Sequence, residues 1–360
     1  MNIAFLSSST GWGGLEQNLL RYATWMQEEQ HRVQVFAVPN SPLCEAVVKS
    51  GIAWEPHPRQ SRYFPWNAAW RLRKQLLNER SDFLWVRDPR DLSLAGLAVQ
   101  GTPCQLIFQQ GMQINRAKRM PWHVLRFRRV NHWVTPLKTL REEVLQNTPL
   151  RPHQLHHIPL ALDAPWFAPG TNPADARSSF GLPDEAPIVG LFGRLNRLKG
   201  QRTLIQALAE APQWHAFLIG ANTTNEREDE KSNLLAWAKE LGVSDRIHWL
   251  DSLPNLKTAY AACDVYAMCS DSETFGMVTL EAMACGVPVI GTDAGGTPEL
   301  LGHGARGRLI PPHDPRALAE ALKDWKNIPK ASDEDLFPFH KQAVLKQWAK
   351  LIGGSPEPAS

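Results

Sequence analysis

The chain has 360 residues, 43% hydrophobic and 21% charged, a globular balance that excludes a disordered or coiled-coil chain and leaves room for two domains. The formal net charge of +3 conceals an asymmetry. Residues 1–165 hold 20 Lys and Arg against 12 Asp and Glu, a balance of +8, and residues 166–360 hold 19 against 24, a balance of −5. No acidic residue occurs between Asp91 and Glu142, so one half is expected to meet something anionic.

Short β-type runs alternate with longer helical patterns. Asn2–Ser7 predicts a strand, followed by a Gly-rich turn and an amphipathic helix over Leu15–Glu29. Arg32–Val38 reads as a strand, Pro42–Ser50 and Trp66–Glu79 as helices, and Phe83–Arg87 as a strand. Leu92–Gln100 predicts a helix, Gln105–Gln109 a strand, Leu137–Gln146 a helix and His156–Pro159 a short strand. Residues 164–175 carry three Pro and one Gly and read as a linker. The alternation then restarts, with strands at Pro187–Gly193, Trp214–Gly220, Arg246–Leu250, Val265–Met268 and Pro288–Thr292. Helices are expected over Arg202–Glu210, Asn233–Leu241 and Ala317–Trp325. The pattern predicts an α/β chain of two doubly wound units, whose ligands bind outside the carboxyl ends of the strands. The tail Ser355–Ser360 is expected to fray.

The five cysteines, Cys44, Cys104, Cys263, Cys269 and Cys285, form neither a CxxC pair nor a zinc spacing. They predict buried, reduced thiols in a cytoplasmic protein. Asn2 replaces a basic n-region and the apolar run Ile3–Leu6 is too short for a signal peptide. No stretch reaches the length of a membrane span. The expectation is a cytoplasmic protein, at most peripheral at the inner face of the plasma membrane.

Three strand-end loops carry candidate chemistry. The first contains Gly11-Trp12-Gly13-Gly14, which reads either as a tight turn or as amides approaching a phosphate at a helix start. It is not GxGxxG, and no acidic residue ends the second strand at Val38-Pro39-Asn40, which disfavours a nicotinamide dinucleotide. The second, Gly193-Arg194-Leu195-Asn196-Arg197-Leu198-Lys199-Gly200, reads as an ordinary basic loop or a diphosphate site. Arg can fork across two oxygens and Lys supplies a point charge. The third, Ser270–Ile290, sets Glu273 in a loop, Gly276 before a helical pattern and Glu281 more than a turn inside it. Amides at Gly276 suit an anion, and both carboxylates suit vicinal hydroxyls. Gly291–Glu299 follows the next strand as another Gly-rich loop; Glu299 reads equally as a cap or a ligand.

The glutamate pair enclosing Phe275-Gly276, the Gly193-Arg194…Lys199-Gly200 loop and the early Gly13-Gly14 resemble the retaining GT-B glycosyltransferases of family 4. The resemblance covers nearly the whole chain and is most specific over Ser272–Leu300. It implies two facing Rossmann-like domains, an acceptor-side domain over 1–165 and a nucleotide-sugar-binding domain over 166–338. A C-terminal helix within 339–354 would cross back to the first. It implies hexosyl transfer from a UDP- or GDP-linked sugar in the interdomain cleft, with no metal and no further cofactor. Arg194 and Lys199 would hold the donor diphosphate and Glu273 the sugar hydroxyls, the three forming the catalytic set. Phe275 and Gly276 would offer amides, with Thr279 beside them. Glu281 would bind the ribose, and Gly13 and Gly14 would close on the donor. Many members carry a His at the end of the first domain's fourth strand. Here Gln109 and Gln110 stand there, and glutamine cannot act as a general base at neutral pH. That fits a front-face mechanism in which the leaving phosphate takes the acceptor's proton.

Met112–Trp133 interleaves Arg116, Lys118, Arg119, Arg126, Arg128 and Arg129 with Met120, Trp122, Val124, Leu125 and Phe127. It reads either as a solvated basic face over core aromatics or as a surface for an anionic membrane or lipid-linked acceptor. Trp66 and Trp70 are candidates to join it, and Pro121 fixes where a helix can start. No nucleic-acid module is present. Asp333-Glu334-Asp335 has DxD spacing but lies away from a strand end, and no metal site is read. The expected function is transfer of a sugar to a cell-surface glycan, a lipopolysaccharide core or a lipid-linked acceptor. The alternatives are a non-catalytic sugar-nucleotide-binding partner and a nucleotide-sugar epimerase.

Overall fold

The computed structural model describes residues 1–57, 65–114, 116–168, 170–222 and 229–354. The chain divides into two compact units, Met1–Ile158 and Pro159–Ser360. The Trp122 side chain and the tail Ser355–Ser360 lie outside what is described.

The first unit runs β1 (Asn2–Ser7), α1 (Gly14–Glu28), β2 (Arg32–Ala37), α2 (Pro42–Lys49), β3 (Ala53–Pro56), α3 (Trp66–Asn78) and β4 (Phe83–Val86). It continues through α4 (Leu92–Val99), β5 (Gln105–Gln109), α5 (Pro121–Phe127), β6 (His132–Thr135), α6 (Lys138–Asn147) and β7 (Leu155–His157). Its strands form one parallel sheet in the order β3-β2-β1-β4-β5-β6-β7. The central strands β1 and β4 are buried along nearly their whole length, as helices on both faces of a parallel sheet require. The largest buried side chains are aromatic. Phe5 stacks on Trp85 at 5.1 Å between centroids, and Phe108 meets Trp133 at 4.2 Å.

The second unit runs α7 (Ala164–Phe167), α8 (Pro173–Phe180), β8 (Ile188–Phe192), α9 (Gln201–Glu210), β9 (His215–Ile219), α10 (Glu230–Glu240), β10 (Ile247–Leu250) and α11 (Lys257–Ala261). Then come β11 (Val265–Met268), α12 (Met277–Ala284), β12 (Val289–Thr292), α13 (Thr297–Leu300), β13 (Arg308–Ile310), α14 (Pro315–Lys323), α15 (Asp333–Leu336) and α16 (Lys341–Gly353). The parallel order is β10-β9-β8-β11-β12-β13. In both sheets the order reverses once, between β1 and β4 and between β8 and β11, which is where such sheets leave a crevice.

Two expectations change. Residues 164–175 are not a bare linker, because they hold α7 and the start of α8. Pro165 and Pro173 sit in the first helical turn, where a missing N–H costs nothing, and Asn172 Oδ1 caps α8 through the Ala174 N–H at 2.9 Å. The short strands β3, β6 and β13 were not anticipated. All five cysteines are unpaired and four are buried, while Cys285 is half-buried. Each sheet also carries a half-buried histidine pair near one edge. His132 Nδ1 lies 3.1 Å from His156 Nε2 across β6 and β7, and His215 Nδ1 lies 3.0 Å from His248 Nε2 across β9 and β10. Among the described residues no helix is long and apolar enough to cross a membrane.

A close backbone approach follows β8. Gly200 has φ +77°, and a Cβ there would fall 2.0 Å from the Cys269 carbonyl oxygen. A side chain needs both the left-handed region and space that does not exist. Gly200→Ala is expected to destabilise the second unit by about 3 kcal/mol, read as a lower urea midpoint. An unchanged midpoint refutes this account of the loop packing.

Candidate functional site

The loops leaving β8 and β11 meet at the carboxyl edge of the second sheet. The loop after β8 tightens into a 3₁₀ turn at Arg197–Lys199. Asn196 starts it by accepting the Leu198 N–H at 2.9 Å. The Gln201 amide donates to the Arg194 carbonyl at 3.1 Å, and the Asp271 N–H donates to the Leu198 carbonyl at 2.9 Å. The two loops are thus stitched backbone to backbone before any charge is considered.

Lys199 Nζ forms an ion pair with Glu273 Oε1. The Ser270 hydroxyl donates to the same oxygen at 2.9 Å. The side chains are 29% and 15% exposed, so the pair is partly shielded and stronger than an exposed one. The Glu273 backbone is fixed from its other side. Its carbonyl accepts the Gly296 N–H at 2.7 Å. It also bridges Gly295, where a Cβ would sit 2.5 Å from the Glu273 oxygen. Arg194, in contrast, is exposed, and its guanidinium has no hydrogen bond or ion pair among the described residues. Of the three cations in this loop, Lys199 pairs with Glu273, Arg197 lies 3.9 Å from Glu230, and Arg194 is open.

Gly276 caps α12 at φ +87°. Phe275 is buried and meets Phe339 edge-on at 6.1 Å. Thr279, 1% exposed, has a hydroxyl with no hydrogen-bond partner among the described residues. Glu281 lies in the second turn of α12, 8% exposed. The Tyr260 hydroxyl stands 3.1 Å from Glu281 Oε2 and 2.9 Å from the Val278 carbonyl. Burial first, and then the nearby Glu281 charge, push the Tyr260 pKa well up, so the phenol stays protonated and can orient the carboxylate.

In the first unit, Gly13 precedes α1 in an extended conformation open to any residue, at φ −161°. A Cβ on Gly14 would meet nothing within 4 Å. Neither backbone nor packing within the unit demands glycine at these positions. The loops after β1 and β4 are joined by the Ser8 N–H, which donates to Asp91 at 3.0 Å. Burial lifts the Asp91 pKa to about 6. The two glutamines differ. Gln110 is fully used, accepting the Trp133 indole N–H at 2.9 Å and donating to the Met112 carbonyl at 2.9 Å. Gln109 accepts from the Trp85 indole at 3.2 Å and from Arg87 Nη1 at 3.1 Å, while its amide nitrogen has no partner among the described residues.

The basic stretch does not form one patch. Arg116, Lys118 and Arg126 line a cavity of about 300 Å³ floored by Leu92, Phe108 and Trp133. Arg119 instead donates to the Gln146 carbonyl at 2.8 Å near the end of α6, a place that favours a cation. Arg129 packs on Gly96 of α4, where a Cβ would lie 3.2 Å from its own Cβ. Arg128 is exposed, as are Met112, Met120 and Leu125. Helix α5 starts at Pro121, as expected. Trp66 and Trp70 are exposed on α3, and Lys74 covers the Trp70 ring at 3.7 Å.

Among the described residues no three His, Cys, Asp or Glu side chains gather as a metal site. The Asp333–Asp335 run is used structurally: Asp335 accepts the Ser332 N–H at 3.0 Å and pairs with Arg306 at 3.1 Å. Sequence reasoning passed over Ser270, Tyr260 and Arg87. Ser270 lies three residues from Glu273 and had a local signal. Tyr260 is on α11, and nothing in the sequence ties it to Glu281.

The profile of the family described as "Glycosyl transferases group 1" matches residues 174–336, and that of "Glycosyltransferase Family 4" matches 12–164. A D-inositol 3-phosphate glycosyltransferase from Corynebacterium jeikeium is 37% identical over 174 residues, which are 46% of this chain and 42% of the relative. The chain thus spans less than half the length of the curated relatives it matches. The crystal structure of Anabaena Alr3699/HepE in complex with UDP and glucose is 24% identical, with a TM-score of 0.83 over 98% of this chain and 99% of that one. WaaG, a glycosyltransferase involved in lipopolysaccharide biosynthesis, is 17% identical, with a TM-score of 0.71 over 98% and 100% of the two chains. The fold is that of the GT-B enzymes, and with the two profile matches reaching from residue 12 to 336, the chain belongs to the family 4, group 1 glycosyltransferases.

Proposed function

We propose that the protein is a retaining, metal-independent hexosyltransferase using a nucleotide-sugar, with UDP as the favoured nucleotide. The observation that carries this reading is the Lys199–Glu273 pair beside an unengaged Arg194, at the strand-order reversal of the second sheet. A cation already positioned and a second one open suit a diphosphate, and a fixed carboxylate suits sugar hydroxyls. UDP and glucose in the related HepE structure support the donor class.

Each residue then has a task. Arg194 and Lys199 neutralise the diphosphate. Glu273 accepts from hydroxyls of the sugar. Amides at Phe275 and Gly276, with the unpartnered Thr279 hydroxyl, face the phosphates at the α12 start. Glu281, oriented by Tyr260, takes the ribose. Gly13 and Gly14 offer further amides, and the absence of any local need for glycine there supports this role.

As the sugar–phosphate bond breaks, negative charge grows on the diphosphate and positive charge on the ring. Pre-positioned cations and amides stabilise the first without reorganising. Gln109 cannot take the acceptor's proton, so the departing phosphate oxygen takes it on the same face. Gln110 is committed to Trp133, leaving Gln109 as the glutamine available to a substrate.

For the acceptor we propose a cell-surface glycan, a lipopolysaccharide core or a lipid-linked sugar, met at the cytoplasmic face of an anionic membrane. The apolar-floored cavity rimmed by Arg116, Lys118 and Arg126, beside exposed Met120 and Leu125, supports an amphipathic partner. WaaG's involvement in lipopolysaccharide biosynthesis agrees with it.

Lys199→Ala is expected to lower kcat by about 100-fold, the cost of losing one donor to the developing charge, measured as UDP release from UDP-glucose at saturating donor. Unchanged turnover sinks the role of Lys199. In a thermal-shift series UDP should raise Tm and ADP should not, since only a ligand of the native state stabilises it; no shift with UDP, GDP or their sugars refutes a nucleotide-sugar site. In liposome flotation the protein should rise with vesicles containing phosphatidylglycerol and much less with phosphatidylcholine alone, and equal flotation with both removes the electrostatic basis of membrane binding.

A further inference from the structure

Arg87 leaves β4 at the carboxyl edge of the first sheet, where the strand order reverses between β1 and β4. This is the position at which open α/β sheets take ligands. Arg87 is only 2% exposed. Among the described residues it makes one hydrogen bond, from Nη1 to Gln109 Oε1 at 3.1 Å. Its Nε is buried and has no partner, and no carboxylate lies within ion-pair distance among the described residues. Burial dominates its surroundings and holds its pKa down to about 10; Tyr22 and Glu16 act weakly against this and Arg21 acts with it.

Gln109, on the adjacent strand, shows the same deficit. Its oxygen is shared by Trp85 and Arg87, and its amide nitrogen, fully buried, has no partner among the described residues. Two buried groups on neighbouring strands therefore hold unused N–H donors, and one of them carries a full charge. A buried cation with no carboxylate at ion-pair distance is a costly feature for a fold to carry. Guanidinium presents donors only, in a fork that matches two oxygens of a phosphate or carboxylate. The margin of this pair is the Gly13–Gly14 turn, since Glu16, whose charge Arg87 feels, has Oε2 3.6 Å from where a Gly13 Cβ would lie.

We propose that Arg87 and Gln109 form an oxyanion receptor in the first unit, which takes a phosphate or carboxylate carried by the acceptor; the assignment to the acceptor rests on the glycosyltransferase reading. The diphosphate of the donor already has Arg194 and Lys199. An acceptor with an anionic group would supply the direct counter-charge that Glu16, beyond ion-pair distance, does not, and be selected over its neutral counterpart.

The test uses the full chain saturated with UDP, so that the diphosphate site is filled, and inorganic phosphate as the probe at constant ionic strength. In the wild type, phosphate should raise Tm by a few degrees in a saturable way, and in Arg87→Gln the rise should vanish. Without phosphate, Arg87→Gln should melt at or above the wild-type Tm, because an unpaired buried charge has been removed. UDP affinity should stay within about twofold of wild type. A phosphate shift that survives in Arg87→Gln, or no shift in the wild type, overturns the receptor. A Tm lowered by the substitution marks Arg87 as a structural strut and also overturns it. A loss of UDP affinity of about tenfold assigns the oxyanion to the donor and overturns the acceptor assignment. Absence of UDP binding by the wild type is instead a failure of the nucleotide-sugar reading, and the two failures are thereby distinguished.

Discussion

The second unit's site depends on the contact between Gly200 and the backbone of Cys269. Only a residue without a Cβ lets the loop after β8 lie against the loop after β11. That approach brings the Leu198 carbonyl to the Asp271 N–H and sets Lys199 opposite Glu273. The charges do not hold the loops together from afar. Packing and backbone hydrogen bonds fix the loops first, and the ion pair forms because the remaining freedom of the two side chains is small. A cation and a carboxylate positioned in this order lose little when a ligand engages them, which is the physical content of pre-organisation.

The first unit solves a different problem. Its sheet carries buried aromatic side chains, among them the indoles of Trp85 and Trp133, whose N–H groups need acceptors. Gln109 and Gln110 provide those acceptors at the end of β5, one for Trp85 and one for Trp133. The same two residues are the ones that stand where many family members carry a histidine. The departure from the family pattern is therefore tied to the core as much as to the chemistry. With both glutamine oxygens committed inward, Gln109 Nε2 and Arg87 Nε are left buried without a hydrogen-bond partner among the described residues.

Much of this was legible in the sequence. The Ser270–Leu300 run encodes its own geometry: Gly276 marks a left-handed cap, Glu273 falls in the loop before it and Glu281 inside the helix after it. What was missed has physical causes. β3 (Ala53-Trp54-Glu55-Pro56) and β13 (Arg308-Leu309-Ile310) are sheet-edge strands of three or four residues, too short for a period-2 pattern. Prolines at 165 and 173 look like breakers by spacing alone, yet both sit in a first helical turn, and Asn172 caps the second of these helices. The basic stretch reads as one patch along the chain, yet Arg119 and Arg129 are turned to α6 and α4, since neighbours in sequence need not share a face. Tyr260 and Arg87 become visible only once strands distant in the chain lie side by side.

The paired imidazoles near the sheet edges carry a consequence for acid solution. Across β6–β7 and β9–β10 each pair shares a ring N–H, which requires at least one neutral ring. Burial, more than the neighbouring charges, lowers the pKa of all four, and His132 falls to about 4. The folded chain thus binds fewer protons at these rings than the unfolded one, so stability drains away as pH drops below about 6.5. His57, just beyond β3 at the opposite edge of the first sheet, is held down to about 4 by burial in the same way, so acid strains both rims of that sheet and the β10 rim of the second rather than the central strands.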